Sequence, residues 1–510
     1  MEKKKILATA LSLVLSLGLL SGCNSSNSSA GEVFAPDYSD SNKQYTFWAY
    51  QSTYNGWYQV KGKDGIVRRW EAPEYAIPIE NAETIKTYKD AGFNVLFITY
   101  TYQFDGPDFA TSEAKQLMDI AHEQGLKCFV FERTLYQLSA KGESLIVDDP
   151  SKANGTTAFE SQEALNTYIG TVIKDVVKHP AFYGFSLRDE PSYKEMISIG
   201  QIYRAIQANA PGCFVNQNVF PMPTQGSEVY APKGSTMKPE AAFKIYLEHM
   251  AECTGAPYIQ YDDYPLLGPL AGSEGVNAIN SMHLLGLKTT AEFCKENKLA
   301  FNKVFQTCAF EKNKPVCRAP SKTDMYWQMN IGMSFGIKMF SYWTYYPVVN
   351  TAGEYYDVKT SFLDQYGNKN DMYYWMQEIH GEMQGMAKVL MHYEYQGMQV
   401  YNEGLLPGSS AFVENVQSDD TFKKVKDCSL QNDGSVLITE LYDVGRGYYG
   451  YYITNVTDTL TQTTVTADVD FGDYSQVQIY DKGEKTDQKT NKGNYEFTLK
   501  PGEGVFVIPY

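Results

Sequence analysis

The chain has 510 residues and a formal net charge of −16, with 43% hydrophobic and 20% charged residues. This length exceeds one ordinary domain and allows a large hydrophobic core. The acidic balance argues against nucleic acid or an anionic lipid surface as the main partner, because both need basic patches.

The N-terminal segment has the pattern of an export signal. Lys3–Lys5 precede an apolar stretch, 6–20, that is short for a membrane span. The following "LSGC" ends at Cys23 and resembles the lipobox of bacterial lipoproteins, whose cysteine becomes the lipidated first residue. The resemblance implies a signal peptide over 1–22 and a bacterial lipoprotein anchored through Cys23, at the cell surface or in the periplasm. The Ser- and Asn-rich residues that follow predict a flexible tether over 23–44.

Between residues 45 and 394, short β-branched or aromatic stretches alternate with longer amphipathic ones. The predicted strands are 45–50, 93–100, 126–132, 182–188, 213–219, 257–263, 301–308 and 338–345. The predicted helices are 79–90, 112–124, 160–178, 192–209, 239–254, 281–297, 321–335 and 370–393. Eight such βα units predict a (β/α)8 TIM barrel with enlarged loops. A doubly wound sheet is the alternative, but no G-x-G-x-x-G follows the first strand.

The pattern changes after the barrel. From 395 to 510, short alternating strands are separated by Asn, Asp and Gly turns, and no helical period is present. This pattern predicts a C-terminal all-β domain, most simply a β-sandwich.

Cysteine and histidine usage argues against a disulfide framework and a structural zinc site. Seven cysteines besides Cys23 are scattered along the chain, several within apolar stretches, and the six histidines lack metal-ligand spacing. We therefore expect buried thiols, no metal and no cofactor.

Active sites of such barrels lie at the C-terminal ends of the strands, where side chains alternate between the interior and the helices. In the third strand, Phe129 and Phe131 are expected to face helices, which turns Glu132 inward. In the fourth, Tyr183 and its alternate neighbours are expected to face helices. The residues then expected inside are Gly184, Ser186, Arg188 and Glu190.

The same alternation applied to the later strands completes the predicted mouth, which is the opening of the barrel at the C-terminal ends of its strands. It gathers Glu132, Arg188, Glu190, Asp262, Gln306 and Trp343, with Asp189, Asp263 and Glu311 close by in sequence and Trp57 in the first loop. Two carboxylates beside an aromatic surface are what glycoside cleavage requires, because one must donate a proton while the other stays ionised.

Structural alternatives exist for these residues. Asp189, Glu190 and Pro191 are also typical of a helix start. Asp262 and Asp263 are also typical of a loop cap. The fit of the surrounding strands to a barrel favours the catalytic interpretation of Glu190.

Two motifs resemble glycoside hydrolases of clan A, which are (β/α)8 retaining enzymes. "RDEP" (188–191) is similar to the Asn-Glu-Pro that closes the clan's fourth strand, which implies Glu190 as acid/base. "FSYWTYY" (340–346) resembles the eighth strand that brings a Trp under the substrate, here Trp343. The sequence departs from the clan at Asp189, where the clan has Asn.

A second departure concerns the nucleophile. "KVFQTCAFE" (303–311) lacks an obvious carboxylate at the strand end, where Gln306 holds the inward position. The second carboxylate is therefore Asp262 or Glu311, and Asp262 would allow inversion rather than retention.

The sequence thus predicts a surface-anchored glycoside hydrolase that cleaves an oligo- or polysaccharide. The expected catalytic residues are Glu190, Asp262 and Glu311. The expected substrate-binding residues are Glu132, Arg188, Asp189, Asp263, Gln306, Trp343 and Trp57. The alternative function is a non-catalytic carbohydrate-binding lipoprotein, either a degenerate barrel or a solute-binding protein. The all-β last quarter of the chain disfavours a solute-binding protein, because that type needs two α/β lobes.

Overall fold

A computed structural model describes most of the chain beyond residue 34. The described residues are 35–50, 52–53, 59–61, 67–69, 81–100, 108–223, 229–232, 236–268, 278–309, 317–347, 361–364, 367–403 and 421–510. Cys23, Trp57, Glu311 and the predicted signal peptide lie outside these residues. No helix within them is long and apolar enough to cross a membrane.

Eight parallel strands form the barrel. They are β1 (Thr46–Ala49), β2 (Val95–Tyr100), β3 (Lys127–Glu132), β4 (Phe182–Arg188), β5 (Phe214–Val219), β6 (Tyr258–Asp262), β7 (Ala300–Gln306) and β8 (Met339–Trp343). Their order in the sheet is β1-β8-β7-β6-β5-β4-β3-β2. All eight coincide with predicted strands, and the predicted TIM barrel is confirmed.

Side chains join β1 to β2, the two strands at the ends of this order. Asn94 Oδ1 accepts the N–H of Phe47 at 2.9 Å, and Asn94 Nδ2 donates to the Tyr45 carbonyl at 2.8 Å. Beyond the end of β1, Ser52 Oγ accepts the N–H of Phe97 and donates to the Phe97 carbonyl. Together with a backbone bond from the Asn94 N–H to the Phe47 carbonyl at 3.2 Å, these bonds close the barrel.

The helices pack around the strands. They are α1 (Ala82–Asp90), α2 (Glu113–Glu123), α3 (Arg133–Ser139), α4 (Gln162–Ile173), α5 (Met196–Asn209), α6 (Pro239–Thr254), α7 (His283–Asn297), α8 (Lys322–Ser334) and α9 (Asp371–Leu390). Asn81 and Ser321 start α1 and α8 with capping boxes, which satisfy N–H groups that the helix leaves unpaired. The sequence predicted eight of these nine helices of the described residues and missed α3, which has seven residues and starts directly after β3.

The described residues of the C-terminal domain form nine strands in two antiparallel sheets. They are β9 (Tyr393–Glu403), β10 (Asp427–Leu430), β11 (Gly434–Asp443), β12 (Tyr448–Asn455), β13 (Val465–Asp470), β14 (Gln476–Asp481), β15 (Glu484–Lys489), β16 (Asn494–Leu499) and β17 (Gly504–Pro509). The sheet orders are β9-β11-β12-β17-β14-β15 and β10-β13-β16. A separate apolar core lies between the two sheets, so the predicted sandwich is confirmed.

The other face of the six-stranded sheet packs on barrel helices. Leu437, Tyr452 and Phe506 of this face belong to the same apolar core as the barrel helices. At its centre, Tyr452 Oη donates to Asn330 Oδ1 on α8 at 2.7 Å, and Asn330 Nδ2 donates to the Gly502 carbonyl at 2.9 Å.

Close backbone approach and an ion pair add to this interface. A Cβ on Gly385 of α9 would lie 2.7 Å from Gly483 Cα, so the α9 and β14–β15 backbones meet where neither residue has a side chain. Arg318 forms a two-pronged ion pair with the buried Asp324 at 2.6 and 2.7 Å, and Thr459 of the sandwich donates to the same carboxylate. Barrel and sandwich therefore share one continuous interior.

Candidate active site

Aromatic and aliphatic side chains fill the interior of the barrel below its mouth. This interior cluster consists of Trp48, Tyr50, Val95, Phe97, Phe129, Val304 and Met339, with Trp343 and Tyr264 packed against it. The cluster fills the barrel directly below the mouth, and the residues at the strand ends lie above it.

The third strand faces the opposite way from the prediction. Phe129 and Phe131 pack inside the barrel, whereas Val130 belongs to the core between sheet and helices. Glu132 shares the side of Val130, and its Oε2 accepts the N–H of Leu135 at 2.8 Å as the cap of α3. Glu132 is thus placed on the helix side of the barrel, not in the mouth. Its strand is apolar on both faces, so alternation gave no reliable direction.

A β-bulge changes the direction of the fourth strand near its end. Ser186 pairs with Asn216, but Arg188 pairs with Gln217, so Leu187 is an extra residue on β4. Because Asn216 faces the interior, Ser186 faces it too, as predicted. Arg188, opposite Gln217, turns to the helix side.

The contacts of Arg188 confirm this correction. Its Nη2 donates to Glu195 Oε1 at 2.6 Å, and its guanidinium lies 4.8 Å from the ring centroid of Tyr136 on α3. Tyr183, expected against helices, instead packs on Phe129 in the interior. A second bulge explains this, because Cys128 pairs with Phe182 and Phe129 with Gly184, which leaves Tyr183 as the extra residue. Sequence alternation cannot detect bulges.

Glu190 follows in a left-handed backbone conformation, with φ of +43°. This conformation is uncommon outside glycine, and neighbouring bonds hold it in place. They are Asn218 Nδ2 to Asp189 Oδ1 at 2.8 Å, Tyr246 Oη to the Pro191 carbonyl at 2.6 Å, and Ser192 N to Glu195 Oε2 at 2.7 Å. The Glu190 carboxyl itself makes no hydrogen bond with the described residues. The turn is fixed while its carboxyl stays available.

Asp262, at the end of β6, is the second carboxyl of the mouth and is 4% exposed. Its Oδ2 accepts the Tyr264 hydroxyl at 3.2 Å, while its buried Oδ1 has no hydrogen-bond partner among the described residues. Burial, followed by the charges of Glu190 and Asp189, raises the pKa of Asp262 well above its usual value. The charge of Lys303 and the Tyr264 hydroxyl oppose this rise.

Three carboxyls thus lie close enough to influence one another. Burial and the charge of Asp189 raise the pKa of Glu190 to about 8. Burial of its carboxyl also raises the pKa of Asp189, and the hydrogen bond from Asn218 opposes this rise. The residue as a whole is exposed. Like charges this close favour a state in which at least one carboxyl keeps its proton.

Several residues of the site were not identified from the sequence. Tyr50, the residue after β1, accepts hydrogen bonds from Asn216 Nδ2 at 3.1 Å and from Asn218 Nδ2. Burial and the charges of Asp189 and Asp262 raise the pKa of Tyr50, so it stays a neutral phenol. The signal for the two asparagines was present in "FVNQNV", where three consecutive polar residues interrupt an otherwise apolar strand.

Asp263 is committed to a different neighbour. Its carboxylate contacts Nδ1 of His283 on α7, and both side chains are buried. Burial alone would raise the pKa of Asp263, but His283 and the charge of Lys303 outweigh it and lower the pKa. An ionised Asp263 only accepts, so His283 donates its Nδ1–H. This pair anchors α7 behind β6, in contrast to the expected substrate contact.

Gln306 is fully engaged with loop backbone. Its Oε1 accepts the N–H of Leu266 at 2.9 Å, and its Nε2 donates to the Arg318 carbonyl at 2.8 Å. Trp343 packs on the interior cluster with its ring centroid 5.4 Å from that of Tyr50, and it is partly exposed. The described mouth therefore combines Glu190, Asp189 and Asp262 with an aromatic surface, while Gln306 fixes loops.

The described residues hold no group of three or more His, Cys, Asp or Glu arranged to bind a metal ion. The seven described cysteines are all free thiols. The chemistry open to the described site is proton transfer and carboxylate chemistry at the ends of β4 and β6.

No protein-family model matches this sequence, and no curated protein sequence matches it. The chain is similar in structure to a family 39 glycoside hydrolase from the gut symbiont Bacteroides cellulosilyticus WH2, at 11% identity and a TM-score of 0.41 over 84% of this chain and 78% of that one. An Anoxybacillus alpha-amylase gives 11% identity and 0.44 over 84% and 89% of the two chains. A glucosidase from Croceicoccus marinus gives 10% and 0.36 over 85% and 92%. Likeness at this level carries no argument about activity, which has to come from the site.

Proposed function

We propose that this protein is a glycoside hydrolase that cleaves an oligo- or polysaccharide, with Glu190 as general acid and Asp262 as the second carboxylate. The observation that carries this proposal is the pair itself. Both carboxyls lie at C-terminal ends of barrel strands, and the charge of Glu190 raises the pKa of Asp262. Glycoside cleavage needs two such groups in opposite protonation states.

The surroundings of the two carboxyls assign their roles. Glu190 has no hydrogen-bond donor among the described residues and lies beside Asp189, so its protonated form is favoured. Burial and the neighbouring carboxyls raise the pKa of Asp262, but the Tyr264 hydroxyl and the charge of Lys303 oppose this rise, and no such interaction opposes the rise at Glu190. Glu190 then gives its proton to the leaving glycosidic oxygen, and the negative charge resides on Asp262.

Aromatic side chains supply a surface for sugar rings. Trp343 packs on the interior cluster and is partly exposed, and the partly exposed Tyr264 lies beside Asp262. Their faces suit the C–H side of a sugar, while the carboxyl of Asp189 suits its hydroxyls. Asp189 takes the place of an orienting residue next to the acid.

The pH dependence of hydrolysis follows from the pKa shifts. With the pKa of Glu190 raised to about 8, the acid stays protonated in neutral solution, and activity is expected to fall above about pH 8. The charge of Asp189 contributes to this rise, so Asp189→Asn is expected to move the alkaline limb of kcat/KM to lower pH. The pH profiles of the parent and this variant measure the shift. An unchanged alkaline limb would contradict the coupling.

The proposal is tested by reducing-sugar release from a broad panel of oligo- and polysaccharides. The purified chain is expected to release sugar from at least one of them. Binding to a glycan without cleavage would instead favour the second candidate, a barrel that captures carbohydrate. The support for this second candidate is that the described end of β7 carries Gln306 rather than a carboxylate.

We also propose that the enzyme acts at the outer side of a bacterial membrane, held by a lipid on Cys23. The basic, apolar and "LSGC" sequence of residues 3–23 supports this location. A large polymeric substrate is encountered outside the cell, which fits the proposed activity.

A further inference from the structure

Four oxygen atoms inside the barrel are buried without a hydrogen-bond partner among the described residues. They are Asn216 Oδ1, Asn218 Oδ1, Gln260 Oε1 and Asp262 Oδ1. All four side chains are at least nine-tenths buried. Native interiors rarely leave buried acceptors unsatisfied, because each one costs roughly 1–3 kcal/mol. Four such atoms on two neighbouring strands point to donors that fill the space beside them.

Register places these atoms together. Asn218 on β5 pairs directly with Gln260 on the adjacent β6. Asn216 and Asp262 lie two residues before and after this pair on the same two strands, on the same inward face. Both asparagine amides donate Nδ2 to Tyr50, which turns their oxygens away from that hydroxyl. The four acceptors therefore line one patch of the inner wall directly below the mouth.

Water fits this patch better than a cation. The interior also holds an unpaired buried donor, Trp48 Nε1, whose ring lies 4.7 Å from that of Tyr50. A water molecule can accept from a donor and donate to oxygens, whereas a cation can only be bound by oxygens. Buried water in proteins typically makes about three such bonds.

Asp262 lies on the strand face that carries this patch. Its Oδ2 accepts the Tyr264 hydroxyl, and its Oδ1 is buried with no hydrogen-bond partner among the described residues. A carboxylate that attacks a sugar must reach the anomeric carbon with a free oxygen. A carboxylate that activates water needs only to contact that water.

We propose that Asn216, Asn218, Gln260 and Asp262 form a water-binding site inside the barrel, and that Asp262 acts as the base for a water drawn from it. This inference rests on the proposed hydrolase function. The water oxygen bonds to the anomeric carbon and its proton passes to Asp262. The glycosidic C–O bond breaks, its electron pair stays on the leaving oxygen, and Glu190 protonates that oxygen. The product has inverted anomeric configuration.

A crystal structure of the full chain at a resolution that shows ordered water tests the site without any substrate. Density is expected within about 3 Å of Gln260 Oε1 and Asp262 Oδ1. In Gln260→Met it is expected to disappear. The matched control is Gln217→Met, an amide on β5 that is also buried with a free oxygen but faces the helices. A dry interior, or density at about 2.4 Å as for a bound cation, would overturn the water site.

Kinetics and product analysis test the role of Asp262. Gln260→Met is expected to lower kcat about tenfold with little change in KM, and Gln217→Met is expected to leave both unchanged. Proton NMR of the first product is expected to show inversion. Retention, or a covalent glycosyl adduct on Asp262, would overturn the base role. Absence of hydrolysis on every glycan would defeat the hydrolase proposal and the base role together, while the density would still decide the water site.

Discussion

Glu190→Gln is expected to lower kcat/KM for an unactivated glycan by about 10²–10⁴-fold while the protein remains folded. The variant keeps the size of the side chain and removes only the transferable proton. Because the Glu190 carboxyl makes no hydrogen bond with the described residues, its replacement breaks no described contact. Thermal unfolding and sugar release, measured on the same preparation, separate the two effects.

The leaving group supplies an internal control for Glu190. An aryl glycoside whose phenol leaves without protonation is expected to lose much less activity in the variant than the natural glycan does. Glu195→Gln is the matched neighbour, because it keeps the acid and weakens the contacts of Glu195 with Arg188 and Ser192 in the same turn. It is expected to cost about tenfold or less. Equal losses in both variants would mean that the turn, rather than the proton of Glu190, matters.

Asp262→Asn and Asp263→Asn are expected to have opposite effects, although the residues are adjacent. Asp262 is buried with an unpaired oxygen and a raised pKa, so its charge destabilises the fold, and Asn is expected to stabilise it by about 1 kcal/mol. Hydrolysis is expected to be lost. Asp263 is ionised and bonded to His283, so Asn is expected to cost about 2 kcal/mol or more. Activity per folded molecule is expected to fall far less.

The pH dependence of stability distinguishes the two carboxyls further. The folded pKa of Asp263 is lowered, so its contribution is present above the unfolded pKa of about 4 and is lost as pH falls through the folded value. The folded pKa of Asp262 is raised, so its protonated form stabilises the fold and this contribution declines as pH rises. The gain from Asp262→Asn is therefore expected to grow between acidic and neutral pH.

Denaturant unfolding at several pH values measures both trends. If Asp262→Asn destabilised the protein at neutral pH, Asp262 would be a structural carboxylate like its neighbour. If Asp263→Asn abolished activity in fully folded protein, Asp263 rather than Asp262 would be the second functional group of β6.

The fold could be predicted because its signals are long and repeated. Eight alternations of strand and helix, followed by short turn-bounded strands, leave little choice of architecture. The inward faces of β6 and β8 were also predicted, through Asp262 and Trp343. Polar Gln260 and Ser341 alternate with large apolar residues on these strands, and the two side chains bond each other at 2.7 Å. Where one face is polar, the alternation has a direction.

The details of the site were less accessible. Arg188 left the mouth because Leu187 bulges, and a bulge depends on how two strands pair rather than on the sequence of one. Glu132 was misplaced because Cys128 to Phe131 is apolar on both faces. Asp262 and Asp263 were indistinguishable in sequence, and only the position of His283 twenty residues later separates them. Long-range partners decide these roles.

The shared interior of barrel and sandwich bears on how the chain divides. Asn330, Tyr452 and Gly385 belong to an interface that neither half can leave without exposing α8 and α9 to water. The β-sandwich thus covers these helices and thereby stabilises the barrel strands that precede them. A barrel cut away at residue 392 would be an incomplete protein, and the two halves would melt together as one cooperative body.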